Sequence, residues 1–278
     1  MPPTVEEARR YGLAELSASP SPDVDVQLLL CHALDWTPTK LVISADTGLT
    51  YDQWQCYETL IARRRQGEPV AHITGSRGFW SLDLAVDNST LIPRPDTELL
   101  VSLALSKLKS GMCIVDLGTG SGAIALSLAA ERQDVSIVAT DLHRNAVQLA
   151  KHNSDKHEFS HVNLVQTSWL NGFKPESFDL IVSNPPYIEA TDPHLEQGDV
   201  RFEPRTALVS GLDGLEDIRQ IIHQAMRCLK PGGWLLVEHG YDQSVRVQHL
   251  FADAGFEMIS AHQDFGGQDR AVMARWAL

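Results

Sequence analysis

Ser183-Asn184-Pro185-Pro186-Tyr187 brings hydrogen-bond acceptors, stiffness and a flat apolar face into one short stretch. It follows the apolar run Phe178 to Val182, which reads as a buried strand. Two successive prolines fix φ near −65° and remove two backbone N–H donors, so their carbonyls remain as acceptors. Asn184 adds a side-chain carbonyl, and Tyr187 an apolar face. Such a loop suits the grip of a planar –NH2 group and the transfer of a methyl group to an amide or amino nitrogen. Taken alone, it is equally well a surface turn.

The stretch upstream decides between these readings. Asp116-Leu117-Gly118-Thr119-Gly120-Ser121-Gly122 follows a predicted strand and opens a predicted helix. Glycines there let a ligand approach the backbone where a Cβ would clash. The form is GxGxG rather than GxGxxG, and Asp116 stands at the strand end. Dinucleotide-binding loops serve a pyrophosphate at a helix N-terminus, whereas S-adenosylmethionine (SAM) has no phosphate, so the loop points to SAM. Asp141 closes the next strand, where an acid binds ribose hydroxyls; the plainer reading is a cap for the helix from Arg144. Trp169, after the third strand, is placed to flank adenine or to fill the core. All these positions fall at the C-terminal ends of adjacent strands, where open α/β sheets bind ligands. Donor site and –NH2 grip are therefore expected side by side.

The elements that must hold them fall into three parts. Residues 1–74 read as a small helical bundle, with helices over Val5 to Leu16, Val24 to Leu34 and Trp54 to Arg65. Asp52 is a candidate cap for the last of these. Arg63-Arg64-Arg65 reads as a charged helix end favourable to the dipole, or as a contact for an acidic partner. Residues 75–95 read as a β-hairpin and linker, with Pro93 and Pro95 holding Arg94 in an extended segment before a helix that Asp96 or Thr97 can cap. From 96 to 278, strands alternate with helices, which argues for an α/β domain with an open, mostly parallel sheet. The last two strands, near Phe256 to Ala261 and Ala271 to Trp276, are expected to pair antiparallel. Pro231-Gly232-Gly233 reads as a turn before the strand Trp234 to Val237.

Composition narrows the function classes. The 278 residues are 43% hydrophobic, with a net charge of −13. That balance argues against tight nonspecific binding to nucleic acid, which depends on Lys and Arg, and fits a basic protein partner. No apolar run is long enough for a membrane span, and the N-terminus lacks a signal-peptide core. Four scattered cysteines without CxxC spacing read as reduced thiols in a cytoplasmic protein with no metal site.

With DLGTGSG, Asp141 and SNPPY in order, the chain resembles class I SAM-dependent amino-methyltransferases of Rossmann-like fold. LIPRPDTE before the glycine loop, GDVRFEPRTAL after SNPPY and the helical N-terminal domain narrow the resemblance to the PrmC/HemK family of protein-(glutamine-N5) methyltransferases. The resemblance covers essentially the whole chain. It implies methylation of the glutamine in the Gly-Gly-Gln motif of class I peptide chain release factors, with S-adenosylhomocysteine as the other product. It further implies SAM contacts at Gly118, Thr119, Gly120, Ser121, Gly122, Asp141, Trp169 and Asn184. The substrate-amide grip falls on Asn184, Pro185, Pro186 and Tyr187, with Arg94 as a further substrate contact. The chain is expected to act as a monomer, without stable nucleic-acid or membrane partners.

The bond-making step asks for aim rather than a strong base. Asn184 Oδ1 and the Pro185 carbonyl are expected to accept the two amide N–H bonds, with Tyr187 packed on the glutamine side chain. His239 is as readily structural as catalytic. An adenine-N6 nucleic-acid methyltransferase would share the SNPPY loop but needs a basic face. The chain also carries Gly266-Gly267-Gln268 between its last two strands, read as a turn, with self-methylation in trans as the alternative.

Overall fold

The computed structural model describes residues 1–277, which divide into two compact units: Met1–Ser76 with Glu196–Phe202, and Arg77–Leu195 with the chain from Glu203 onward.

The first unit is helical, with α1 (Val5–Glu15), α2 (Pro22–Leu34), α3 (Pro38–Ile43), α4 (Tyr51–Arg65) and α5 (Val70–Thr74). Capping boxes start two of them: Thr4 with Glu7 on α1, and Thr50 with Gln53 on α4. Thr50, not Asp52, therefore caps α4; Asp52 sits in the first turn, where its charge suits the dipole. The core gathers Val26, Leu29, Leu30, Tyr57 and Ile61. Each arginine of the 63–65 run is paired inside the unit. Arg63 bonds Glu68, Arg65 bonds Glu15, and Arg64, only 6% exposed, bonds Asp25 at 2.7 Å and Asp199 at 2.8 Å.

The second unit is built on a seven-stranded sheet. Its strands are β3 (Cys113–Leu117), β4 (Ser136–Asp141), β5 (Val162–Gln166), β6 (Phe178–Ser183), β7 (Leu229–Glu238), β8 (Phe256–Gln263) and β9 (Asp269–Trp276). The hairpin β1 (Ser76–Phe79) and β2 (Leu82–Ala85) precedes it. The order is β5-β4-β3-β6-β7-β9-β8, with β9 antiparallel to both neighbours and the other pairs parallel. The helices are α6 (Glu98–Lys107), α7 (Ala123–Glu131), α8 (Arg144–Lys156), α9 (Glu216–Cys228) and α10 (Ser244–Asp253). Alternate strand residues feed two cores. Ile114, Ile137, Leu180 and Leu236 enter one; Val115, Leu117, Ile181 and Leu235 enter the other. Strands buried on both faces read as near-continuous apolar runs, as the central β3 and β6 do, whereas the edge strands β5 and β8 are largely exposed.

Pro231-Gly232-Gly233 lies within β7 instead of ahead of it. Phe178 pairs with Leu229 and Leu180 with Trp234, so the strand bulges between them. Gly266-Gly267-Gln268 forms the turn joining β8 to β9. Asp264 Oδ1 accepts from the N–H groups of Gly266 (2.9 Å) and Gln268 (3.0 Å), and the Asp264 carbonyl accepts from Gly267.

Candidate active site

Strand register assembles the site. Leu117 pairs with Thr140 on one side and with Ser183 on the other, so Gly118, Asp141 and Asn184 leave three adjacent strands at one level. Asp141 pairs with Gln166, which brings the Thr167-Ser168-Trp169 stretch to the same rim. A cavity of about 450 Å³ opens there, within the size range of ligand sites. Gly118, Thr119, Gly120, Ser121, Asp141, Trp169, Asn184, Pro186 and Arg94 all line it. Gly122, Pro185 and Tyr187 do not.

The glycine loop is shaped by backbone that other residues resist. Gly118, Gly120 and Gly122 have φ of 67°, 56° and 89°. A Cβ on Gly118 would lie 3.2 Å from the Trp169 ring, and one on Gly122 would lie 2.9 Å from Leu126. Gly122 thus serves as the N-cap of α7 and packs behind the loop. Asp116 anchors the loop from below: its Oδ2 accepts from Thr119 Oγ1 (2.6 Å) and the Ala125 N–H (3.1 Å). Burial pushes the Asp116 carboxyl up to about 7 despite those bonds, and the charge of Asp141 adds to the rise.

Asp141 accepts from the Gly120 N–H at 3.0 Å through Oδ2 and from the His143 N–H at 2.9 Å through Oδ1. Each oxygen keeps a lone pair for a ligand hydroxyl. Among the described residues Arg94 is the one Lys or Arg on the cavity wall, which also carries the carboxylates of Asp141 and Asp217. That charge pattern suits a cationic, phosphate-free ligand with hydroxyls, as SAM is.

At the other end, Asn184 Nδ2 donates to Thr97 Oγ1 at 3.0 Å. Its Oδ1 is left as the acceptor that the amide offers. Among the described residues no hydrogen bond reaches the carbonyls of Pro185 or Pro186. The loop is clamped from behind. Tyr187 and Ile188 N–H groups both donate to Leu208 O, and Gln243 Nε2 donates to Tyr187 O at 2.9 Å. The sequence reading gives Tyr187 a face toward the substrate; instead it packs on the core, with its hydroxyl on Glu238 at 3.2 Å. Burial raises its pKa well above the usual phenol value.

Two residues of the LIPRPDTE segment, Arg94 and Glu98, receive contacts. Arg94 Nη2 bonds Glu203 Oε1 at 2.6 Å, tying the extended segment to Glu203-Pro204. Glu98 accepts the Trp80 N–H at 2.9 Å and so holds the hairpin. His239 is fully buried, its Nδ1 on Gly240 O at 2.8 Å, and burial lowers its pKa; it is not on the cavity wall. Thr97, at the N-cap of α6, makes no side-chain cap bond and instead accepts from Asn184. Three residues that sequence reasoning passed over also shape the site: Glu238, Asp217 and Asn153. Asn153 bonds both Ala85 backbone groups and Ser121 O, joining β2 to the glycine loop.

Comparison with known proteins accords with this geometry. Residues 7–75 match the PrmC N-terminal domain and residues 94–199 the methyltransferase small domain. The release factor glutamine methyltransferase of Escherichia coli K12 is 46% identical over 268 residues, covering 96% of this chain and 97% of that protein. The chain belongs to the release factor glutamine methyltransferase family. The member from Vibrio cholerae is 47% identical, covering 98% of this chain and 97% of its own. A methyltransferase from Pyrococcus furiosus shares the fold at TM-score 0.56 and 18% identity, over 78% of this chain and 98% of that one. The ribosomal protein L11 methylase of Lactobacillus delbrueckii subsp. bulgaricus does so at TM-score 0.52 and 20% identity, over 69% and 84%. The fold of the sheet unit is thus the class I methyltransferase fold. Among the described residues no helix is long and apolar enough to cross a membrane.

Proposed function

We propose that this chain transfers a methyl group from SAM to the side-chain amide nitrogen, N5, of the glutamine in the Gly-Gly-Gln motif of class I peptide chain release factors. The observation that carries the reading is the Asn184 amide, pinned by Thr97 at the end of β6 and in register with Gly118 and Asp141. SAM, when bound, supplies an electrophilic methyl group on a sulfonium. Gly118 to Ser121, Asp141 and Trp169 would hold it, Asp141 through its remaining lone pairs.

An amide nitrogen is a poor nucleophile because its lone pair is conjugated with the carbonyl, a conjugation worth a rotation barrier of about 18–20 kcal/mol. Asn184 Oδ1 and the Pro185 carbonyl accept the two N–H bonds, draw the nitrogen toward pyramidal and leave its lone pair facing the cavity. These bonds strengthen as the nitrogen turns cationic, so they stabilise the transition state more than the ground state. Once the N–C bond has formed and the C–S bond has broken to leave S-adenosylhomocysteine, the now acidic nitrogen releases one of its two protons to solvent, giving the neutral N5-methyl amide. Position supplies the rest. His239, buried and away from the cavity, takes no part. The helical unit selects the protein substrate. The chain works as a cytoplasmic monomer, without a metal and without stable nucleic-acid binding.

The test is mass spectrometry of a class I release factor incubated with the protein and SAM. One methyl group on the Gly-Gly-Gln glutamine is the expected result, and none when that glutamine is changed to alanine. Transfer to adenine in DNA at an equal or higher rate would overturn the reading.

A further inference from the structure

Beneath the Asn-Pro-Pro-Tyr loop lies a buried polar chain. Ser183 pairs with Val237, so Glu238 follows at the level of Asn184. Glu238 is 1% exposed. Its Oε1 accepts the Tyr187 hydroxyl at 3.2 Å. Its Oε2 is buried without a partner in hydrogen-bond geometry, while the Thr97 hydroxyl is near enough to lower the carboxyl's pKa. Thr97 Oγ1 in turn accepts from Asn184 Nδ2 at 3.0 Å.

These contacts have a direction. A hydroxyl carries one proton. With its oxygen facing the Asn184 –NH2, Thr97 has that proton to give to Glu238. Asn184 donates to Thr97 and Tyr187 donates to Glu238 from the other side. An acceptor-only group at 238, its Oε2 still unpartnered beside the Thr97 hydroxyl, is placed to draw that hydroxyl's proton away from Asn184. Burying a carboxylate is costly. Burial raises Glu238 to about 7; Thr97, Arg270 and Tyr187 lower it, and Asp96 raises it. Arg270 is shared with Asp264 at 3.0 Å and Asp96 at 3.6 Å, and the charge of Arg94 also reaches Tyr187.

We propose that Glu238 is a positioning residue for methyl transfer: through Thr97 and Tyr187 it fixes the Asn184 amide with Nδ2 turned inward and Oδ1 left for the substrate –NH2. This rests on the glutamine-methylation reading. Glutamine at 238 has the same shape but carries donor hydrogens at one of its two heads. With Nε2 toward Thr97, the Thr97 proton turns to Asn184, and the amide loses the partner that kept its oxygen outward.

The experiment measures kcat and KM for a release factor from about pH 5.5 to 9, using wild type, E238Q, T97V and the double variant. SAM affinity by calorimetry and melting temperature accompany each. E238Q is expected to stay folded and bind SAM within about twofold of wild type. Its kcat at pH 8 should be at least about tenfold lower, with KM little changed. The acid limb of the wild-type kcat profile, centred near 7, should be absent. The double variant should be within about twofold of T97V, because both changes cut one chain. Wild-type kcat in E238Q, or an unchanged acid limb, would strike Glu238 and leave the enzyme's function standing. A wild type that moves no methyl group to the release factor would fail the function and this proposal together.

Discussion

Replacing Asp141 tests the donor end of the cavity, and its cost follows from the contacts. The carboxylate holds two backbone N–H groups, Gly120 at 3.0 Å and His143 at 2.9 Å, one on each oxygen. Asp141→Asn keeps the shape but has one acceptor oxygen, so an –NH2 must face one of those N–H groups. Leaving a buried donor unsatisfied costs about 1–3 kcal/mol, and the side chain is only 8% exposed. Asp141→Ala removes both acceptors together with the one proposed for ribose hydroxyls. A hydrogen bond to a charged group is worth about 1.5–3 kcal/mol, so loss of the ribose contact alone should weaken SAM binding from about tenfold to more than a hundredfold. The asparagine variant should fall in the same range, because the misplaced –NH2 displaces Gly120 or His143. Calorimetry with SAM on folded protein, checked by melting temperature, reads both variants. Unchanged affinity in folded Asp141→Ala would refute the assignment, however slow methylation became.

Gly118→Ala should leave the protein folded and weaken SAM binding measurably by calorimetry: its φ of 67° is strained for alanine by about 1–2 kcal/mol, and the new Cβ would crowd Trp169 at 3.2 Å. Asn184→Ala should lower methylation of a release factor by about 10²–10³, the cost of losing one preorganised hydrogen-bonding group, while SAM affinity falls far less. Asn184→Asp should fail similarly, since it loses the –NH2 that Thr97 holds. Arg64→Ala should destabilise the chain to denaturant by about 3 kcal/mol, the low end for breaking a buried pair, because Asp25 keeps the Ser19 and Ser21 hydroxyls. Glu238 has a folded pKa raised to about 7 against about 4.3 unfolded. Between those values the folded state holds more protons, so this group's contribution falls as pH rises and its cost is complete above 7. The melting temperature of E238Q relative to wild type should therefore be higher at pH 8 than at pH 5.

The residues that announce the chemistry in sequence are those confined to short segments. Three glycines spaced by one residue, an acid closing the next strand and Asn-Pro-Pro each carry their physical meaning locally. The structure places the expected SAM contacts other than Gly122 on one cavity wall. The supporting residues carry no such local mark. Glu238 reaches Tyr187 only because β7 lies beside β6, and that adjacency joins segments about fifty residues apart. Asn153 reads as a polar helix residue until β2 is brought to it. Tyr187 has a related ambiguity: an aromatic after a proline pair can face outward or turn under the loop, and the acceptor at 238 that holds its hydroxyl carries no local mark in the sequence. In β7, Pro231-Gly232-Gly233 has every local sign of a turn. The pairing of Phe178 with Leu229 carries the strand through it.

The β8–β9 turn has a consequence for how such an enzyme chooses. Gly266, Gly267 and Gln268 spell the tripeptide that the family modifies, and Gln268 is exposed. Yet the three backbone N–H groups of this tripeptide all donate to Asp264. To enter a cavity, this stretch would have to break its own hairpin first. The same letters are therefore a target in one protein and a knot in another, and composition cannot tell them apart. While β8 and β9 stay paired, the tripeptide of this chain is held as a turn by its own backbone.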